Sequence, residues 1–285
     1  MLKTFSQAGL TLTALAALGL LAAAPRSASA QTTIVASDEA SNYTSSGQIT
    51  TLNGGSGFAS AFSATGTGGY FLGDAKSNGG GTSPGLINSS NGSSFGLYAN
   101  PNSANVPGPF SETLTRAFSA PLTTGGTFSL GFDNGFESVG AFQQIFLGTT
   151  SNPNLIQFGF VGGTQDYQIN GVATSLGFTD GGLNVKVTLD TPTTYTLSAT
   201  RLGDNATATG TGTLPAGTQL NTFSVNSTDS STGSSFDLFV NKTQVTALSA
   251  SAAPEPSQIA MLGFAALGVL GVVLRAKKRT VTATA

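Results

Sequence analysis

The sequence has 285 residues, of which only 11 are Lys or Arg and 13 are Asp or Glu, and it contains no Cys, His or Trp. These absences exclude disulfides, Ser-His-Asp and Cys-His catalytic arrangements, and Cys/His zinc sites. The scarce cations form no basic stripe for a nucleic acid. We therefore predict no resident cofactor and no nucleic-acid partner, and any bound metal would be Ca²⁺ or Mg²⁺, which prefer oxygen ligands.

Residues 1–30 are predicted to be a secretory signal peptide. Lys3 precedes an apolar stretch from about residue 8 to residue 24, and Ala28 and Ala30 form the small-x-small pattern that signal peptidase cleaves. Gln31 is then the first residue of the exported protein. The alternative, a permanent N-terminal anchor, fits poorly because the Ala-rich core is short and the cleavage pattern is clear.

Residues 31–252, here called the body, are long enough for one domain with a substantial core. Five cations and twelve acids give the body a net charge of −7. An anionic membrane surface would therefore repel it.

Short strands with alternating apolar residues are predicted along the body, and no amphipathic helix is. The clearest example is a meander that begins at residues 184–190, continues through 194–201 and ends at 206–212. Its inward residues are predicted to be Val185, Val187, Leu189, Tyr195, Leu197 and Ala199. Further strands are predicted at residues 127–132, 156–162, 167–170, 221–227 and 235–241. The fold class is therefore all-β, an antiparallel β-sandwich or jelly roll.

The 22 Phe and Tyr residues of the body are predicted to fill most of its core, since each buries a large apolar area. Residues 75–94 have no periodicity and are predicted to be a long mobile loop. Three blocks, at residues 94–100, 114–135 and 177–189, resemble blocks of uncharacterised exported bacterial proteins. That resemblance implies a concanavalin-A-like jelly roll but no activity.

Jelly rolls host glycan hydrolases, and these enzymes need two carboxyl groups about 5–10 Å apart. Asp133 and Glu137 are the nearest candidates, but a spacing of four residues along a strand is about 13 Å. Asp38 and Glu39 are adjacent and would face apart. The sequence thus predicts no catalytic residue and no enzyme.

Two Asp-Gly segments, residues 133–135 and 179–182, carry oxygen atoms that suit Ca²⁺. Asp, Asn and Gly are also typical turn residues. The turn interpretation is preferred, and no metal site is predicted.

The C-terminal segment 253–279 has three parts. Pro254, Glu255 and Pro256 form an extended, rigid triplet, because proline disfavours helix. The uncharged run at residues 259–274 is predicted to be a transmembrane helix of roughly 24 Å, slightly shorter than the ~30 Å hydrocarbon core. A basic stop follows at Arg275, Lys277, Lys278 and Arg279, which places residues 280–285 in the cytoplasm.

This order of triplet, short span and basic stop resembles the PEP-CTERM sorting signal of exported bacterial proteins. The resemblance implies recognition by exosortase, an integral-membrane protease-transpeptidase, with Pro254, Glu255 and Pro256 as the sorting motif. The tail after Arg279 departs from the family, whose members often end at the basic cluster. A plain single-pass anchor, a GPI signal and a buried core helix are the less favoured alternatives.

Together these features predict an exported, non-catalytic protein of the cell surface or extracellular matrix. Its processing partners would be signal peptidase and exosortase, and its predicted association is with exopolysaccharide. A lectin-like carbohydrate-binding module is the alternative, and a glycan hydrolase is the third hypothesis. An exposed aromatic row on a sheet face would favour the lectin, and two acids facing each other across neighbouring strands would favour the hydrolase.

Overall fold

The computed structural model describes residues 31–100, 109–229, 231 and 233–249, and within them Thr32–Leu248 form a compact unit. The described elements are strands and four short 3₁₀ helices, at Ala40–Asn42, Ser46–Gln48, Ala75–Gly80 and Ser234–Phe236. The strands are β1 Thr32–Asp38, β2 Ser63–Gly66, β3 Gly69–Gly73, β4 Ser94–Tyr98, β5 Ser111–Ala117, β6 Thr127–Asn134, β7 Phe142–Gly148, β8 Ile156–Val161, β9 Asp166–Ile169, β10 Val172–Gly177, β11 Leu183–Thr191, β12 Thr194–Arg201, β13 Thr207–Thr213, β14 Thr222–Thr228 and β15 Leu238–Leu248.

Two antiparallel sheets build the unit. Sheet 1 has eight strands in the order β13-β12-β11-β6-β15-β4-β3, and β1 pairs with the later part of β15. Sheet 2 has seven strands in the order β10-β9-β8-β7-β14-β5-β2. Successive strands often change sheet, as β5, β6 and β7 do, so the chain repeatedly crosses from one layer to the other. The predicted all-β antiparallel sandwich is confirmed.

The core lies between the two sheets, and alternate residues of each strand enter it. The six residues predicted to face inward on β11 and β12 are all buried. Aromatic rings occupy the centre, where the Phe118 and Phe223 rings stack 5.8 Å apart and Phe128 packs 5.3 Å from Phe223. Fourteen of the body's Phe and Tyr side chains are buried, which confirms their predicted role. Burying each such side chain stabilises the fold by roughly 1.5–3 kcal/mol.

Residues 74–93, here called the covering segment, lie over the outer face of sheet 1. Ala75 and Ile87 of this segment pack on Phe239 of β15 in a small second core. The segment contains no strand, as predicted for residues 75–94. It is nevertheless packed against the sheet, because its apolar residues find an apolar surface there.

A buried ion pair joins β1 to β5. The Arg116 guanidinium contacts the Asp38 carboxylate, and both side chains are fully buried. The remaining Arg116 donors reach Tyr43 Oη, Asn53 Oδ1 and the carbonyls of Gly54 and Ser60. The guanidinium also lies over the Phe58 ring, 3.9 Å from its centroid. This network attaches the irregular segment 39–62 to the sandwich.

The predicted strands differ from the structure in extent. The last strand begins at Leu238, because Ser234–Phe236 form a 3₁₀ turn where a strand was predicted from residue 235. Strands β1, β2, β3, β4, β5, β7 and β10 were not predicted.

Candidate functional site

One end of the sandwich collects most of the buried acidic groups. Here β6 ends at Asn134 and β15 begins at Leu238, and these two residues pair. The other end of β15, Leu248, pairs with Thr32 of β1. At about 3.3 Å per residue, the 10 steps from Leu238 to Leu248 separate the two ends by about 33 Å. We call the Leu238 end the distal end, since the first and last strands pair at Thr32 and Leu248 at the opposite one.

Asp133 lies at the distal end beneath the covering segment. Its carboxylate accepts hydrogen bonds from Asn78 Nδ2 (3.0 Å) and Ser83 Oγ (3.0 Å), and the residue has no exposed surface. Burial raises the pKa of Asp133 to about 7, although the two hydrogen bonds oppose the shift. Gly135 is required nearby because a Cβ there would collide with the Asn78 side chain.

Asp180 reaches the same covering segment from the β10–β11 connection. Its carboxylate accepts a hydrogen bond from Thr82 Oγ1 (2.5 Å), and the Thr179 hydroxyl accepts one from the Gly181 N–H (3.0 Å). The two segments considered as calcium ligands, 133–135 and 179–182, are therefore brought together. The Asp133 and Asp180 carboxylates accept hydrogen bonds from the covering segment, and the bond from the Gly181 N–H to Thr179 lies within a turn. The turn interpretation is therefore wrong for Asp133 and Asn134, which belong to β6. Among residues 31–100, 109–229, 231 and 233–249, no three acidic side chains form a group suited to a metal.

Glu137 supplies a second buried carboxyl group at the distal end. Both of its oxygens are buried, and burial raises its pKa to about 9, although the neighbouring Gln143 side chain opposes the shift. Gln143 of β7 donates from Nε2 to the Phe236 carbonyl (2.7 Å), but its Oε1 is buried without a partner. Ser227 of β14 lies opposite Gln143 of β7 in the sheet, and its buried hydroxyl also has no hydrogen-bond partner. Unsatisfied polar atoms cost stability, so their concentration here marks a functional candidate.

Three phenylalanines from different connections meet beside these polar groups. The Phe136 ring lies 6.0 Å from Phe178 and 6.2 Å from Phe236, and Phe136 is 44% exposed. Asp237 follows Phe236 and is buried, which raises the pKa of its carboxyl group to about 7. We call Phe136, Phe178, Phe236, Glu137 and Asp237 the distal site. It combines an exposed aromatic surface with carboxyl groups that hold their protons near neutral pH, and such groups can donate hydrogen bonds.

Two pairs of carboxyl groups were considered for a hydrolase, Asp133 with Glu137 and Asp38 with Glu39. The two members of each pair have different hydrogen-bond partners. Asp133 is bonded to Asn78 and Ser83 of the covering segment, whereas the side chain beside the Glu137 carboxyl is Gln143, so the two carboxyl groups share no hydrogen-bond partner. Asp38 is held by Arg116 and Tyr43, which gives it a structural role, and its neighbour Glu39 accepts a hydrogen bond from Ser41. No exposed aromatic row lies on a sheet face among the described strands, and Phe136, in the connection after β6, is the one exposed aromatic side chain among the described residues.

The predicted sorting and processing residues lie outside the described residues, apart from Gln31 at the start. These are Ala28, Ala30, Pro254, Glu255, Pro256, Arg275, Lys277, Lys278 and Arg279, together with the predicted span at residues 259–274. Within the part of the chain that the structure describes, no helix has the length and apolar character needed to cross a bilayer.

Several solved structures are similar to this chain. A protein of unknown function from Shewanella oneidensis MR-1 is 13% identical, with a TM-score of 0.41 over 90% of this chain and 100% of that one. Lectin I from Ulex europaeus, in complex with the methyl glycoside of α-L-fucose, is 13% identical, with a TM-score of 0.40 over 65% and 91%. A glycosyl hydrolase family protein from Mycobacterium fortuitum is 11% identical, with a TM-score of 0.36 over 53% and 74%.

At TM-scores below 0.5, these likenesses say nothing about ligand or activity. The assignment of the fold rests on the strand pairing described above. No protein-family model matches the sequence, and no curated protein matches it.

Proposed function

We propose that the protein is an exported, non-catalytic component of the cell surface or extracellular matrix, sorted by exosortase through its C-terminal segment. The observation that supports this proposal most is the order of the C-terminal segment, in which Pro254, Glu255 and Pro256 precede an uncharged run and a basic stop. Within the sandwich, the distal site lies at the end of β15 opposite to Leu248, about 33 Å from it.

In this proposal, signal peptidase cleaves after Ala30, and the segment 259–274 holds the chain in the membrane until exosortase acts at Pro254, Glu255 and Pro256. The body is then released to the envelope or transferred to a surface carrier. A net charge of −7 keeps the body away from anionic lipids.

The proposed ligand is extracellular polysaccharide, bound at the distal site. Exposed aromatic rings such as Phe136 pack against the apolar faces of sugar rings, and binding sites for such ligands are lined by aromatic side chains. With this ligand, the proposed matrix protein is also a carbohydrate-binding module, which is the lectin-like alternative. Phe136 is the specific observation that favours it, because its exposed ring stands beside the rings of Phe178 and Phe236 and extends an aromatic surface that a sugar ring can cover.

Binding of polysaccharide is tested by co-sedimentation with exopolysaccharide from the producing cells, using Phe136→Ala and the control Val139→Ala. Val139 is 89% exposed at the same end but makes no aromatic contact, so its loss removes apolar surface without touching the ring cluster. We expect Phe136→Ala to weaken binding about tenfold or more and Val139→Ala to leave it unchanged. Equal binding by both variants and the parent would refute the distal site as the polysaccharide site.

Sorting is tested separately by removing residues 253–285 and comparing the cell-bound, matrix and medium fractions. We expect the shortened chain to pass into the medium. An unchanged distribution would refute sorting through this segment and would leave the binding result intact.

A further inference from the structure

The outer edge of β13 is an unprotected sheet edge. Proteins usually blunt such edges with charged residues, proline, bulges or short strands. The other described edges follow this rule. The Leu72 N–H of β3 is bonded to Ser46 Oγ, β2 has only four residues, and the register of β10 is irregular. The free edge of β1 carries a bulge between Ile34 and Ala36 and a bridge from Ser37 to Ser56. In contrast, β13 has seven residues, no charge, no proline and an uninterrupted register with β12.

The hydrogen bonds at the two ends of the β12–β13 pair show which backbone groups of β13 face its open edge. The Arg201 N–H donates to the Ala206 carbonyl, and the Leu214 N–H donates to the Thr193 carbonyl. In an antiparallel pair, every second residue exchanges both bonds with its partner. Ala208, Gly210 and Gly212 therefore bond to β12. The N–H and C=O groups of Thr207, Thr209, Thr211 and Thr213 point away from β12, and no described strand pairs with them.

The sequence of β13, TATGTGT, is nearly symmetric about Gly210. An antiparallel second β13 centred on Gly210 places Thr207 opposite Thr213 and Thr209 opposite Thr211. These four threonines of each copy are the residues whose backbone groups are free, so the pair can form eight hydrogen bonds. All threonine side chains then lie on one face, and the other face carries Ala and Gly. A centre on Thr209 or Thr211 also pairs threonines, but it engages three of them in each copy and forms six hydrogen bonds.

The space beside β13 suits a second strand with small residues. A groove of about 470 Å³ lies between β13 and the β9–β10 hairpin, with Val172 and Ser175 among its lining residues. Val172 is 69% exposed in this groove. A second copy would direct Ala208, Gly210 and Gly212 towards the groove, where larger side chains would collide. The nearest charges, Arg201 and Asp204, pair with each other 2.5 Å apart, so the approach meets no unpaired like charge.

We propose that two copies of this chain associate through their β13 strands, which pair antiparallel about Gly210 and join the two copies of sheet 1 into one continuous sheet. The interaction closes on itself by two-fold symmetry, so it gives a dimer and not a fibre. This assembly goes beyond the proposed function, since neither sorting nor polysaccharide binding requires it.

The register is tested by disulfide cross-linking, which is unambiguous because the chain contains no cysteine. Full-length Thr209→Cys and Thr211→Cys chains are mixed in detergent and mildly oxidised. In the proposed register, Cα atoms of hydrogen-bonded partners are about 5.5 Å apart, within disulfide reach, whereas two copies of position 209 are about 7–8 Å apart. The matched control is Thr196→Cys mixed with Ser198→Cys, on the same face of β12 but paired on both sides.

We expect the 209/211 mixture to give several-fold more cross-linked dimer than either variant alone or the β12 control. If each variant alone cross-linked as strongly as the 209/211 mixture, the proposed register would be wrong. Thr211→Pro provides a second test, because its N–H is outside the β12 ladder and its loss leaves the monomer's hydrogen bonds intact.

We expect light scattering of the parent to give twice the mass of one chain and Thr211→Pro to weaken the dimer at least tenfold. Far-UV circular dichroism shows whether the proline variant folds. If it does not fold, the cross-linking result alone tests the proposed dimer. A parent chain that stays monomeric at high micromolar concentration, or a dimer unaffected by a folded proline variant, would overturn the proposal.

Discussion

Replacing Arg116 by Met removes the centre of a buried polar network while keeping a long apolar side chain. Arg116 is 1% exposed and its guanidinium lies over Phe58 and Phe62. The change leaves the Asp38 carboxylate buried without its counter-ion. It also removes the donors to Asn53 and Gly54, which hold the irregular segment 39–62 on the sandwich.

The expected loss of unfolding free energy is about 3–5 kcal/mol, the usual cost of removing one partner of a buried ion pair. Asp38 retains three donors, the Tyr43 hydroxyl (2.7 Å), Asn42 Nδ2 (2.8 Å) and the Glu39 N–H (2.9 Å). These bonds place the cost towards the lower end of that range. Since each kcal/mol shifts the melting temperature of a domain this size by about 2–4 °C, we expect a decrease of about 6–20 °C.

The measurement is urea unfolding of the body, residues 31–252, followed by far-UV circular dichroism. The control is the double variant Asp38→Asn with Arg116→Met, in which no uncompensated charge remains. We expect the double variant to be more stable than Arg116→Met alone. A loss below about 1 kcal/mol for Arg116→Met, or a double variant less stable than the single one, would refute the account of this network.

Further predictions concern export, secondary structure and pH. N-terminal sequencing of the exported protein is expected to begin at Gln31, and a sequence that begins at Met1 would contradict the signal peptide. Far-UV circular dichroism of residues 31–252 is expected to be dominated by β-structure, and a mainly helical spectrum would rule out the sandwich. Because burial raises the folded-state pKa of Glu137 to about 9, the folded state holds this proton more tightly than the unfolded state, and stability falls as pH rises from about 4 to about 9. We therefore expect Glu137→Gln to gain stability relative to the parent between pH 5 and pH 9 in urea titrations, and a difference that is independent of pH would refute the buried, protonated carboxyl.

The strands that the sequence predicted are those with a clear two-residue period. Val185 and Val187 alternate with polar residues on β11, because one face of the strand is buried and the other is exposed to solvent. In contrast, β2 and β3 contain several glycines, which are typical of turns. Gly69 is needed there because the Tyr98 ring lies directly above it, a contact that only the folded sheet creates.

The distal site could not be predicted because its members come from three separate connections, after β6, after β10 and before β15. The neighbouring contact of Asp133 and Asp180 was missed for a similar reason, since the covering segment that bonds to both was predicted to be a mobile loop. The ion pair did leave a signal in the sequence. Arg116 lies between Leu114 and Phe118 in the two-residue period of β5, so an inward position carries a charge, and such a charge requires a buried partner.

The central proposal is sorting by exosortase, and the most direct measurement is the intact mass of the mature protein in a host that contains exosortase. The parent is compared with a variant in which Pro254, Glu255 and Pro256 are all alanine. Alanine preserves or lengthens the apolar helix, so insertion into the membrane is expected to stay the same while processing fails. We predict that the mature parent lacks residues 259–285 and that the variant retains them. Retention of those residues in both proteins would contradict the proposal and identify the triplet as an ordinary linker beside a permanent anchor.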